Sequence, residues 1–182
     1  MIDMAEFVER ARVEGNFLVT GYNQYEKRIL RNIEPSYDLG YVFGSYLSVG
    51  SVNIITYKRS KRGIVFWYIE KSNSSDKLSK LKNSVKKSFN LSLNVREQKK
   101  ASTYQIACYS KPLATLLSQL GKKSGNKKLP ECYMIKNNKE YNKGIIDAIE
   151  DFEGHIPDRR DVLKKRKLSL DVVDLYQKLK NY

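Results

Sequence analysis

Two stretches of this chain, Leu39 to Val52 (L-G-Y-V-F-G-S-Y-L-S-V-G-S-V) and Gly144 to His155 (G-I-I-D-A-I-E-D-F-E-G-H), share one arrangement of apolar and small residues closing on a glycine. A segment that is apolar or small all round suits a buried helix, and glycine is a common helix stop. Gly44 and Ala148 each stand six residues before the closing glycine, Gly50 or Gly154. Small residues at matched positions let two helix backbones approach closely, so the spacing predicts a packed helix pair whose ends lie side by side. At those ends the copies differ, because Glu153 precedes Gly154 while Val49 precedes Gly50.

The segments between the two helices alternate in period. Val52 to Tyr57 and Ile64 to Ile69 are β-branched and aromatic runs around the basic Lys58-Arg59-Ser60-Lys61-Arg62-Gly63, which predicts a hairpin. Leu78, Leu81, Val85 and Phe89 recur at three- and four-residue steps, which predicts an amphipathic helix over 76–89. A second hairpin is expected from Leu91–Glu97 and Ser102–Tyr109. Pro112 then opens a helix through Leu120 that Gly121 stops, before a basic linker, Lys122 to Lys128. Asn138 is placed to cap a helix over 139–153. Outside this unit, a short helix over Met4–Arg12, a short basic hairpin or strand over Val162–Leu168 and a closing helix over 170–179 are expected. With only 29 residues after Glu153, the second copy reads as incomplete.

The net charge of +14 is confined to the middle of the chain: residues 1–35 carry −1, 36–142 carry +14 and 143–182 carry +1. Such a field favours a polyanion. No run approaches the roughly 20 apolar residues that span a bilayer, so nucleic acid rather than a membrane is the expected partner. Lys58, Arg59, Lys61, Arg62, Arg96, Lys99, Lys100, Lys122, Lys123, Lys127 and Lys128 are the candidate phosphate contacts. Tyr57, Trp67, Tyr68 and Tyr104 are candidates for strand-face packing first and base stacking second. Cys108 and Cys132 have no CxxC spacing and His155 is the single histidine, which excludes a structural zinc site and leaves Cys108 as a reduced core thiol.

The two motifs, together with Leu129-Pro130-Glu131 and Glu140-Tyr141-Asn142-Lys143-Gly144, resemble the LAGLIDADG homing endonucleases and their relatives, the intein endonuclease domains and intron maturases, over roughly residues 38–180. The resemblance implies an α+β fold, an αββαββα repeat with a curved antiparallel saddle of strands. Residues 1–35 would be an extension, 36–138 the first repeat with its basic saddle, and 139–182 the second motif helix with a truncated second repeat. It also implies that the acid before each closing glycine holds a catalytic divalent metal, which makes Glu153 the one matching ligand and leaves Val49 unable to ligate. Asp151 is expected to orient structure, and Asp147 and Glu150 to face solvent.

Carried over in this way, the chain reads as a nucleic-acid-binding protein of endonuclease descent with cleavage lost or weakened. The alternatives are a Mg-dependent DNA endonuclease or nickase that uses Glu153, and an RNA-binding maturase or ribonucleoprotein subunit. Duplex DNA or structured RNA is the expected partner, with a second protein chain as a candidate to complete the unfinished half. Composition rich in lysine, asparagine and tyrosine hints at an AT-rich genome such as that of a phage or a mitochondrion, hence a reducing interior.

Overall fold

The computed structural model describes residues 1–21, 26–57, 60–72, 74–98, 101–122, 126–135, 137–154 and 170–180, without the side chains of 57, 60, 61 and 170. Its centre is a pair of helices, α1 (Tyr37–Val49) and α4 (Lys139–Glu153). Both begin on side-chain caps. Ser36 Oγ accepts from the Leu39 amide at 3.3 Å and Asn138 Oδ1 from the Tyr141 amide at 2.9 Å, each satisfying an amide that the first turn leaves without a partner. Asn138 Nδ2 also donates to the Pro35 carbonyl at 3.0 Å, which ties the two helix starts together.

Glycine sets how close the pair comes. A Cβ on Gly40 would lie 2.0 Å from the Tyr141 carbonyl oxygen, and one on Gly144 would lie 2.1 Å from that of Tyr37. Tyr141 and Gly144 each follow their counterparts Tyr37 and Gly40 by 104 positions, so the two contacts are one contact repeated across a pseudo-twofold axis. Gly44 continues the seam, with a Cβ there meeting the Ile145 oxygen at 2.5 Å and the Ala148 Cβ at 2.9 Å. Phe43, Tyr41 and Tyr141 fill the flanks and are fully buried.

From α1 the chain runs into a four-stranded antiparallel sheet of order β6-β7-β9-β8, made of β6 (Gly50–Tyr57), β7 (Ser60–Glu70), β8 (Asn94–Glu97) and β9 (Thr103–Tyr109). Helices α2 (Ser74–Phe89) and α3 (Lys111–Ser118) complete the αββαββα order, and α5 (Leu170–Lys180) packs on α4. The second hairpin is shorter than its apolar pattern predicts, with its first strand beginning at Asn94 rather than Leu91 because Leu91 turns into the core. Gly121 ends the helical turn after α3 with φ +100°, a backbone that favours glycine. The region 162–168 lies outside the described residues.

The N-terminal expectation fails. In place of a helix over Met4–Arg12, a single 3-10 turn spans Met4–Phe7, capped by Asp3 on the Ala5 amide. Strands β2 (Arg12–Glu14), β3 (Phe17–Thr20) and β4 (Lys27–Leu30) follow as a small antiparallel sheet, and β1 (Ile2–Asp3) pairs with β5 (Asn32–Ile33). The signal was Glu14-Gly15-Asn16 ahead of Phe17-Leu18-Val19-Thr20: Gly15 adopts φ +58° in a tight turn, and the β-branched run after it pairs back. Met4, Phe7, Leu18, Ile29 and Ile33 bury themselves in the same core as α1.

Candidate nucleic-acid interface and helix-tip site

The sheet buries one face under the helices. On β7, Val65, Trp67 and Ile69 point inward and are buried, while Arg62, Ile64, Phe66, Tyr68 and Glu70 alternate to the other face. The pairing register aligns that outer face in rows: Ile55 beside Arg62; Asn53, Ile64 and Tyr109; Ser51, Phe66, Ala107 and Asn94; Tyr68, Gln105 and Arg96. Arg62 and Arg96 are exposed on it. Lys122 and Lys128 are exposed elsewhere. Lys58, Arg59, Lys99, Lys100 and Lys123 lie outside the described residues, as does the side chain of Lys61. Trp67 is wholly buried and Tyr104 lies on the inner parity, so of the four aromatic candidates Tyr68 stands out on the open face, while the Tyr57 side chain lies outside the description.

The α1 tip meets the sheet directly, because α1 passes through Gly50 into β6, whose first outward residue, Ser51, belongs to the Phe66 row. Val49 ends α1 and Glu153 ends α4. Gly154 closes α4 with φ +74° and donates its amide to the Glu150 carbonyl at 2.8 Å, a left-handed stop that a Cβ would strain. Gly50 has ordinary extended geometry.

Lys127 is the correction at this site. Its sequence reads as part of a solvated basic linker, yet it is 2% exposed. Its Nζ donates to the Tyr46 carbonyl at 2.7 Å and the Leu47 carbonyl at 3.3 Å, and lies 5.1 Å from the Tyr46 ring centre. The Tyr46 carbonyl also accepts from the Gly50 amide, and the last carbonyls of a helix carry the negative end of its dipole, so an ammonium there is held by the helix end itself. Burial pulls the Lys127 pKa down to about 8, opposed by the charge of Glu153. The alternation of basic and apolar residues at Lys127-Lys128-Leu129 was the available signal, since only one of two adjacent lysines can face inward beside a buried leucine.

Among the described residues, the helix ends thus carry Val49 on α1 and Glu153 on α4, with the Lys127 ammonium buried at the α1 end. Among the described residues no group of three or more His, Cys, Asp or Glu is placed to hold a metal ion. A divalent cation seeks several anionic oxygens, and an ammonium beside the one acid competes for the same charge, so this donor set does not fit a two-acid metal site.

The other acids of α4 support packing. Asp151 accepts from the Tyr41 hydroxyl at 2.8 Å and from Lys80 at 2.9 Å. Asp147 accepts from the Tyr37 hydroxyl at 2.8 Å, and Glu150 from Lys180 at 2.6 Å and from the Tyr176 hydroxyl. Asp147 and Glu150 are thus not on a solvated face, since the flanks of α4 meet α1 and α5. Burial first, and the neighbouring carboxylates next, hold the Tyr37 and Tyr41 phenols above their ordinary range. Cys108 is buried, and burial pushes its thiol up to about 12. Cys132 is exposed, and neither is in a disulfide.

A paired helix core set on an αββαββα unit with a four-stranded antiparallel sheet is the fold of the LAGLIDADG homing endonucleases. The chain is similar to I-DmoI in complex with DNA and Mn at a TM-score of 0.54 and 15% identity, over 81% of this chain and 78% of that one. A variant of I-DmoI with its target DNA, in the presence of Mn, superposes at 0.52 and 15% identity over 80% of this chain and 74% of that one. In sequence the chain is 30% identical over 173 residues to the DNA-directed RNA polymerase subunit Rpo1C of Methanocaldococcus jannaschii, covering 89% of this chain but 18% of that subunit. No family model matches the chain.

Proposed function

We propose that this is a nucleic-acid-binding protein of homing-endonuclease descent in which cleavage is lost or weak. The observation that supports the reading is the unequal pair of helix ends: Val49 and Glu153 stand 104 positions apart, the offset that relates the glycine contacts of the seam, and the charge of Glu153 acts on the buried Lys127 ammonium rather than on a second acid's metal. Binding rests on the sheet face and the cationic middle of the chain. Arg62 and Arg96 there, with Lys122, Lys128 and the basic residues at sequence positions 58, 59, 61, 99, 100 and 123, neutralise phosphates and release counterions.

The second reading, a nickase or one-metal endonuclease, is favoured by Glu153 itself, the single acid that matches the motif. The test is incubation of the purified protein and Glu153→Gln with duplex DNA and Mg²⁺. The proposal expects both proteins to bind with the same affinity and to leave the DNA intact. Cleavage by the wild type that disappears in the variant supports the second reading instead.

A further inference from the structure

The outer face of the sheet is not a uniformly polar surface. Among the described residues, the large apolar side chains left exposed are Met1, Val13, Ile55, Tyr68 and Tyr109; the last three, 44%, 40% and 38% exposed, share this face. Phe66 lies beside Tyr68 with ring centroids 6.5 Å apart and planes 28° from parallel. Gln105 Nε2 donates to the Tyr68 hydroxyl at 3.1 Å, which restrains the ring while the residue stays 40% exposed. Tyr109 stands one row beyond Phe66, next to Ile64.

Cations frame these rings. Arg96 stands in the row of Tyr68, and Arg62 stands one row beyond Tyr109. At the end of β9, Lys27 Nζ donates to the Tyr109 carbonyl, and an open hollow of about 220 Å³ is lined there by Glu26, Lys27, Arg28 and Asn90 together with the buried Leu91 and Cys108 of the helix side, so it lies at the sheet's edge rather than among the rings. Among the described residues, Glu26 lies in the hollow, Glu14 pairs with Arg28 at 3.5 Å, and Glu70 stands at the far end of β7.

A duplex offers side chains in its grooves the edges of bases and the T methyl group, while ring faces stay within the stack; reading edges calls for hydrogen-bonding side chains. Aromatic rings laid on an antiparallel sheet between cations instead match the flat faces of unpaired bases, with phosphates outside them. Resting on the nucleic-acid-binding reading above, we propose that this face takes unpaired bases of a single strand, stacked on Tyr68 and Tyr109, with Arg62 and Arg96 holding the backbone. The sources of such bases, an RNA loop or a separated DNA strand, share this chemistry.

Binding is measured for three probes of matched sequence: a DNA duplex, one of its strands alone, and an RNA hairpin with the sequence in its loop. The single strand, the loop or both bind more tightly than the duplex, and a 2-aminopurine in the bound segment is quenched on complex formation. Tyr68→Ala and Tyr109→Ala each weaken this binding about tenfold and relieve quenching, whereas Tyr68→Phe retains both. Preference between loop and DNA strand identifies the source. Tight duplex binding that Arg62→Ala weakens and Tyr68→Ala leaves unchanged overturns the stacking proposal while the nucleic-acid reading stands. Absence of binding to all three probes overturns both.

Discussion

Lys127 illustrates how one residue's chemistry depends on which neighbour turns inward. Its ammonium is buried against two α1 carbonyls, and its pKa of about 8 lies below the usual 10.5. The folded state releases this proton before the unfolded chain does, so between those values the unfolded chain binds more protons and stability rises with pH. Urea unfolding at pH 8 and 10 is therefore expected to show the wild type gaining on Lys127→Met as pH rises. The tyrosines whose phenols are held high, Tyr37 and Tyr41 among them, act oppositely only above pH 10, and both proteins carry them. Equal pH responses in the two proteins would show that the ammonium is solvated. At Gly40 the prediction concerns volume alone: Gly40→Val drives a side chain into the Tyr141 backbone and lowers stability by about 3 kcal/mol or more, read from the denaturation midpoint.

At the scale of elements, the parts written as long periodic runs were legible. The spacing of Leu78, Leu81, Val85 and Phe89 gives α2, the β-branched runs after Val52 and before Ile69 give β6 and β7, and Asn138 caps α4 where its position suggests. The N-terminal sheet was not, because Met4, Phe7 and Val8 mimic a helical step over a few residues, and what settles the matter is pairing between β2, β3 and β4. Gly15 tests that hairpin. No atom lies within 4 Å of its would-be Cβ, so Gly15→Ala meets no clash and costs only the φ +58° backbone, about 1 kcal/mol. A destabilisation several times larger would mean that the turn carries contacts beyond its geometry. The helix-tip site was half legible. The mismatch of Val49 with Glu153 stands in the sequence, but the lysine that turns inward to meet it could not be told from its surface neighbours by spacing.

For the molecule as a whole, the proposed function divides the work between charge and shape, with the basic middle supplying attraction and the outer sheet face supplying fit. Affinity for nucleic acid should fall linearly with the logarithm of salt concentration, and Arg62→Ala or Arg96→Ala should each flatten that slope by about one. Lys127→Met should leave the slope unchanged, since a buried ammonium releases no counterions. The central claim is that the tips no longer form a metal site although the fold that positioned them persists. Its most direct measurement is Mg²⁺ or Mn²⁺ binding by calorimetry to the wild type, Glu153→Gln and the double variant Val49→Asp/Lys127→Met. The account predicts no Glu153-dependent metal binding in the wild type and its appearance in the double variant, which regains a second carboxylate and loses the competing ammonium. Stoichiometric binding by the wild type that Glu153→Gln abolishes would contradict it.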